Sequence, residues 1–478
     1  MTANLRERGQ YEEVNDDTTL HIGFDNTDST RSGCTTHLAF RIISYLVQDK
    51  NVQFVDYPLL IRLNPNIPWK TRGNGAVCLR IDSKKPETTI DHIKDTILAY
   101  SDIKNGANPG LAVLRNSRIP EGVKHFSYAA LYKVLNIHEA SKLAEKEGIS
   151  YFRYGNGHGL IGALAAVGCL LEGDHTFESI SYRNENKLGT LRQLDRQTVM
   201  KMNVLTFPRT FNNVDPQRKR ILISPRGPDP VFCGIRGEDP SIVIKSLLLV
   251  NPSEKLDGYA VFRTNQGTNM HLQNTLKLSE VVPYMAGRTR GIVCRSPKVI
   301  QGGHVLFEVC DAAGDSYPVA VYEPTGLGVI ASRLMSGDLI EIGYGVRPRD
   351  ETHASILNVE FVSILSLKSI VLLVNPVCKK CEKRMKSEGR GKGFQCERCK
   401  FKTFDKCNVT QPRNLIPGMY LPVVRSHRHL TKPIQRFGQE KYQPYLPGRQ
   451  SPLHCSWHSD AKGLEDMLRN QNMNVAGG

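Results

Sequence analysis

The sequence predicts a multidomain α+β protein that closes in a small β-barrel and a zinc ribbon, and three observations predict it. The chain has 478 residues, more than a single hydrophobic core usually serves. Strand-like and helical patterns alternate until about Val281 and then give way to five short β-like runs in some ninety residues, the density of a small barrel. Two Cys-x-x-Cys pairs follow.

In chain order, residues 1–18 are polar and acidic without periodicity and read as a disordered extension. Thr19 to Phe24 reads as a strand that runs into Asp25-Asn26-Thr27-Asp28-Ser29, a turn rich in oxygen ligands. After Gly33, the segment Cys34 to Val47 places Leu38, Ile42, Tyr45 and Leu46 at helical spacing. Strands are expected at Gln53 to Leu63 and Ala76 to Ile81, the second preceded by Trp69-Lys70-Thr71-Arg72-Gly73-Asn74-Gly75. A helix is expected over Asn136 to Gly148, and Gly155-Asn156-Gly157-His158-Gly159 opens an apolar helix to Leu171. Strands at Ser179 to Tyr182 and Arg220 to Ser224, with a helix near Asp195 to Asn203, make a second α+β unit, whereas the Gly-, Pro- and charge-rich residues 225–240 read as a loop. The barrel strands are Gly291 to Arg295, His304 to Cys310, Ser316 to Tyr322, Asp338 to Tyr344 and Leu357 to Ile364. Domain boundaries fall at 19–145, 146–278, 279–370 and 374–408, and residues 409–478 form a basic, Pro-rich tail with little periodicity, expected to order on binding.

Composition bounds the function. Lys plus Arg number 63 against 47 Asp plus Glu, a net charge of +16, which favours polyanionic partners and above all nucleic acid; a basic protein with no such partner is the alternative. No stretch approaches about eighteen apolar residues, and Glu12, Glu13, Asp16 and Asp17 interrupt the first twenty, so no membrane span or export signal is expected and the cytoplasm is the expected location. Twelve cysteines are too sparse for a disulfide scaffold and suit a reducing compartment. No obligate protein partner is evident.

Three constellations can carry chemistry. Cys378 and Cys381, then Cys396 and Cys399, have the spacing of two knuckles that close a tetrahedron around zinc; four thiolates leave no open position, so the metal is structural. Lys383, Arg384, Lys386, Arg390 and Lys392 between them are either a phosphate-facing loop or an ordinary solvated face. Asp25, Asn26 and Asp28 at a strand end, followed by Gly33 and by Thr35 and Thr36 at a helix start, are suited to Mg²⁺ and to ATP phosphates without a Walker motif, although an acidic turn before a capped helix is also ordinary structure. Lys70, Arg72, Gly73 and Asn74 offer cations and glycine to phosphates, a weaker signal.

Several of these stretches occur together in a known family. His21-Ile22-Gly23-Phe24-Asp25-Asn26-Thr27-Asp28-Ser29 with Gly33-Cys34-Thr35-Thr36, Gly159-Leu160-Ile161-Gly162-Ala163-Leu164-Ala165-Ala166, Gly227-Pro228-Asp229-Pro230-Val231 with Gly234-Ile235-Arg236-Gly237-Glu238, and Phe262-Arg263-Thr264-Asn265-Gln266-Gly267-Thr268 resemble the archaeal isoleucine-tRNA 2-agmatinylcytidine synthetases over residues 19 to 405. The resemblance implies a kinase-like α/β domain over 19–145, a ferredoxin-like agmatine-binding domain over 146–278, an OB-fold and the ribbon. It implies an ATP-dependent ligase that joins agmatine to carbon 2 of the wobble cytidine in the CAU-anticodon isoleucine tRNA, after phosphoryl activation of the cytosine 2-oxo group. Asp25 and Asp28 match the family's acidic motif for Mg²⁺ and ATP, Thr35 matches a threonine that phosphorylates itself, and Arg72-Gly73-Asn74 resembles a phosphate-contacting loop. Asn26 stands where the family usually has a second Asp, which leaves an amide oxygen as ligand. Agmatine's guanidinium calls for a carboxylate, and Asp195, Asp215 and Asp229 are the candidates. The competing readings are ATP-dependent modification of another tRNA nucleoside and a non-catalytic RNA-binding protein.

Overall fold

The computed structural model describes residues 19–227, 229–351, 354–442 and 453–476; the extension expected over residues 1–18 lies outside them. The chain forms two compact units. One holds the described residues up to Asn274, Val282–Gly287 and those from Val423 onward, and the other holds Thr275–Val281 and Arg288–Pro422.

The first unit begins with β1 (Thr19–Asp25), α1 (Thr35–Leu46), β2 (Val52–Phe54), β3 (Leu59–Arg62), β4 (Gly75–Ser83), α2 (Pro86–Tyr100), β5 (Gly110–Arg115), α3 (Glu121–Ala130), α4 (Ile137–Lys146), β6 (Ser150–Arg153) and α5 (Gly159–Gly168). It continues through β7 (Thr176–Arg183), α6 (Arg196–Thr206), the short β8 (Thr210–Phe211), β9 (Val214–Asp215) and β10 (Arg220–Ile221), then β11 (Val231–Gly237), α7 (Pro240–Leu249) and β12 (Leu256–Thr264). One sheet runs through it in the order β6-β5-β1-β4-β3-β12-β7-β11-β8, with β2 added on β4. Its two halves meet where β3 and β12 pair in parallel, Leu59 opposite Arg263.

Side chains alternate across this sheet as the period of two demands. From β4, Val77, Leu79 and Ile81 face one core with Leu38, Ile42 and Ile43 of α1. Ala76 and Cys78 face the other, built from α3, α4 and α5. Helix α5 packs on β1, β5 and α3, because it is apolar all round and must be covered on every side. Residues 225–240 are not all loop. Val231–Gly237 is a strand between β7 and β8, and burial of Phe232, Cys233 and Ile235 outweighs the turn residues that flank it.

The second unit contains β13 (Ala286–Val299) from Arg288 onward, β14 (Val305–Cys310), β15 (Ser316–Val321), a short α8 (Gly328–Ala331), β16 (Leu339–Arg347) and β17 (Ile356–Ser366). These strands pair in the order β15-β14-β13-β16-β17 and close through β15 against β17, which is the expected five-stranded barrel. Next come β18 (Ile370–Val374), β19 (Lys386–Ser387), β20 (Phe394–Gln395), β21 (Lys402–Thr403), β22 (Cys407–Gln411), paired with β18, and β23 (Gly418–Tyr420), which adds to β17.

The segment after the ribbon corrects the sequence reading. Residues 423–442 fold back onto the first unit, and β24 (His458–Asp460) adds to β12 ahead of α9 (Ala461–Ala476). Single anchors carry the order of the segment before β24, where Arg436 is fully buried and Leu430 nearly so, and scattered anchors leave no periodicity to read; α9 packs Leu464, Met467 and Leu468 at helical spacing.

Candidate active site

Strand β1 delivers Asp25 at its C-terminal end, next to helix α5. A Cβ on Gly162 would lie 1.8 Å from Asp25 Oδ2, so only glycine there leaves room for the carboxylate. Asp25 Oδ1 accepts the N–H of Asn26 at 2.7 Å. Burial, the larger cause, and the nearby Asp28 carboxylate push the Asp25 carboxyl up to about 7. Asn26 adopts φ 57°, a left-handed conformation that asparagine tolerates better than most residues.

Asp28 is buried and accepts the Thr71 hydroxyl at 2.9 Å. Arg72 lies 3.7 Å from it and donates to the Gly33 carbonyl at 2.9 Å. Burial raises Asp28 above the ordinary carboxylate range, and Arg72 opposes that shift. Helix α1 starts at Thr35; the Cys34 thiol lies 3.2 Å from the Thr36 hydroxyl and makes no cap hydrogen bond, and uncapped N–H groups at a helix start attract anions. The Thr27 hydroxyl donates to that of Thr35 at 3.1 Å.

The Thr71–Asp28 contact lies between two cavities. The first, of about 300 Å³, is lined by Asp28, Cys34, Thr35, Thr36, Arg72 and Gly73 from the first half of the unit and by Glu178, Asp229, Arg236 and His429 from later parts. The second, of about 70 Å³, is lined by Asp25, Asn26, Lys70, Asn74, Trp69, Lys133 and His158, and Thr71 borders both. The structure thus brings the predicted residues together but divides them: Asp25 and Lys70 face one cavity, Asp28, Thr35 and Arg72 the other.

Of the three candidate carboxylates, only Asp229 reaches the site. It sits 3.3 Å from Arg192 and 3.9 Å from Arg72. Asp195 is an exposed cap that accepts Gln197 N–H at 2.9 Å. Asp215 is buried, accepts Gln217 N–H at 3.0 Å and faces Arg425 at 3.6 Å. Each is occupied by its local turn and lines neither cavity.

Sequence reasoning missed Glu178, Arg236, Arg62 and His429. Glu178 holds Arg236 at 3.1 Å and accepts the Gln266 amide at 2.5 Å. Arg62 lines the first cavity with its Nε lacking a hydrogen-bond partner among the described residues. An arginine ending a strand and a glutamate inside a fully buried one, β7, carried the only available signal, a charge where burial forbids an unpaired one.

In the second unit the sulfur atoms of Cys378, Cys381, Cys396 and Cys399 lie within 4.8 Å of one another. The two knuckles repeat one geometry. Glu382 N–H bonds the Cys378 carbonyl at 2.8 Å and Lys400 N–H the Cys396 carbonyl at 2.9 Å, with φ of 55° and 61° at those two residues. Four thiols so gathered fit Zn²⁺ as a closed structural site. Lys383, Arg384, Lys386, Arg390 and Lys392 of the intervening loop are all exposed.

A buried carboxylate pair beside uncapped helix amides and arginines, in a chain that also carries a barrel and a ribbon, defines an α+β enzyme that handles phosphoryl groups. Three family descriptions match along the chain: the TiaS TCKD domain over residues 21–87, the TiaS FLD domain over 157–271 and the TiaS C-terminal zinc ribbon domain over 375–415. An isoleucine-tRNA 2-agmatinylcytidine synthetase TiaS from Cenarchaeum symbiosum (strain A) is 42% identical over 422 residues, covering 88% of this chain and 94% of that protein. The chain belongs to this TiaS family. Among solved structures, a complex of TiaS with its isoleucine tRNA and ATP superposes with a TM-score of 0.75 at 34% identity over 91% of this chain and 99% of that one. A complex of TiaS with the same tRNA, AMPCPP and agmatine gives 0.74 at 33% identity over 88% and 97%. No helix among the described residues is long and apolar enough to cross a membrane.

Proposed function

We propose that this chain uses ATP to join agmatine to carbon 2 of the wobble cytidine of the CAU-anticodon isoleucine tRNA, with the ATP phosphates held around Asp25, Lys70 and Thr71, where the two cavities adjoin, and the activated base meeting agmatine in the first. One observation carries the placement: the first cavity is lined both by the cations Arg62 and Arg72 with the α1 start and by the carboxylates Asp28, Glu178 and Asp229. A site of that kind receives a phosphoryl group and a cationic amine side by side. A tRNA substrate supports a cytoplasmic location, and no helix among the described residues is able to cross a membrane.

The cytosine 2-oxo oxygen is a poor leaving group. Transfer of a phosphoryl group from ATP to that oxygen makes it a good one; the neutral agmatine amine then forms the bond to carbon 2, the C–O bond breaks, phosphate departs and the amine releases a proton. Lys70 and Arg72 offset charge on the moving phosphoryl group, and the α1 amides with Thr35 and Thr36 hold it. Thr35 lines the cavity in the first turn of α1, where a phosphate on its own hydroxyl would be stabilised by the helix. The donors of the second cavity fit Mg²⁺: burial raises Asp25, which forms no ion pair among the described residues, so a divalent cation would supply its missing countercharge with the Asn26 amide oxygen as a further ligand, whereas Asp28, in the other cavity, already has Arg72 at 3.7 Å. When bound, Mg²⁺ offsets negative charge on the phosphates.

The test is to incubate the protein with ATP, agmatine and an isoleucine tRNA transcript bearing CAU and to measure the mass of the wobble nucleoside. Gain of the agmatine increment is expected, with loss of that product in Asp25→Ala and Asp28→Ala at unchanged tRNA affinity. An unmodified cytidine under these conditions overturns the reading.

A further inference from the structure

Three arginines line the first cavity, Arg62, Arg72 and Arg236, and two of them face carboxylates. Arg72 lies 3.7 Å from Asp28 and 3.9 Å from Asp229, and Arg236 lies 3.1 Å from Glu178. Arg62 differs. Its side chain forms no ion pair or hydrogen bond among the described residues, and its Nε is buried without a partner. The carboxylates whose charge it feels, Glu178 and Asp28, are committed elsewhere. Glu178 accepts Arg236 through one oxygen and the Gln266 amide through the other, and Asp28 accepts Thr71 through one and faces Arg72 with the other.

The Arg62 head is nonetheless held in place. Strand β3 ends at this residue, and buried Asn265 clamps its backbone on both sides: Arg62 N–H donates to Asn265 Oδ1 at 2.8 Å, and Asn265 Nδ2 donates to the Arg62 carbonyl at 2.9 Å. A Cβ on Gly73 would lie 2.6 Å from Arg62 Nη1 and one on Gly75 2.8 Å from it, so both glycines of that loop leave the space the guanidinium occupies. Arginine stays charged in proteins, and a cation fixed in a protein wall without a counter-ion is costly. Arg62 therefore calls for an anion that the protein does not supply.

It borders the first cavity and not the second, so the anion is one that enters the first. Agmatine is a cation and is repelled. The phosphoryl group on the cytosine 2-oxo oxygen is the anion the reaction brings there. As the amine nitrogen bonds to carbon 2 and gives up a proton, the C–O bond breaks, its electron pair goes to the phosphate oxygen, and negative charge grows on the departing phosphate. We infer that Arg62 binds the phosphoryl group of the activated cytidine and holds the phosphate as it leaves, a catalytic residue of the displacement step. This rests on reading the first cavity as the place where the activated base meets agmatine. A tRNA backbone phosphate offers the same oxygens, and the experiment separates the two.

In full-length protein, Arg62→Gln should lower kcat for agmatine transfer about a hundredfold or more while KM for ATP and tRNA affinity hold. Its melting temperature should not fall, because the charge removed has no partner. Inorganic phosphate, exchanged for chloride at constant ionic strength, should raise the melting temperature of the wild type and not of Arg62→Gln. That arm needs no turnover, so it stands apart from a wild type that forms no agmatine product, the result that sinks the reading of the cavity. Arg62→Lys, which keeps the charge without the planar fork, should recover part of both effects and carries the test where the Gln variant does not fold. A kcat equal to wild type, or one and the same phosphate response in wild type and Arg62→Gln, overturns the assignment. A fall in tRNA affinity with kcat unchanged gives Arg62 to the tRNA backbone and overturns it as well.

Discussion

Asp25 shows how one residue couples burial to charge. Its carboxyl is pushed up to about 7 chiefly by burial, so the folded state binds its proton more tightly than the unfolded state does. Stability from this group is therefore fully present below the unfolded value, near 4, and is lost as pH rises toward about 7. In metal-free protein, denaturation midpoints should fall between about pH 4 and 7, and Asp25→Asn should flatten that fall; an identical pH profile in the variant would contradict the assignment. Much of this residue was legible beforehand, since an Asp-Asn-Thr-Asp turn after an apolar strand announces oxygen chemistry. That Asp25 and Asp28 face different cavities was not. The Asp25 carboxylate fits where it does because Gly162, on a helix more than a hundred residues away, has no side chain to fill that space.

At the scale of elements, those with a strong local signal were readable, whereas α2, α3, α7 and α9, equally regular in the structure, were not named from the sequence. Helix α4 carries its own signal, a capping box between Asn136 and Glu139, and the barrel strands alternate strongly enough to be placed within a few residues. The returning segment lacks any such pattern, because its stability comes from single deep contacts. Arg436 is the firmest, fully buried between Asp174 and Glu238 with Gly267 O at 2.5 Å. Removing one partner of such a network leaves charges buried without compensation. Arg436→Ala should cost about 3 kcal/mol in chemical denaturation, and a loss below about 0.5 kcal/mol would show that the segment is held elsewhere.

The whole molecule carries +16, and phosphate neutralisation predicts that tRNA affinity drops at least about tenfold between about 50 and 200 mM monovalent salt; a flat response in a filter-binding titration would contradict it. By itself the sequence determined the class of fold, the zinc ligands, the acidic loop and the family, since each of these resides in contiguous residues whose spacing encodes local geometry. Only the tertiary structure decided which carboxylates meet in one cavity, that Asp195 and Asp215 stay with their own turns, and that His429 closes the site from the far end of the chain. Such meetings depend on how a sheet assembled from distant strands buries charge, and no local pattern of residues records that.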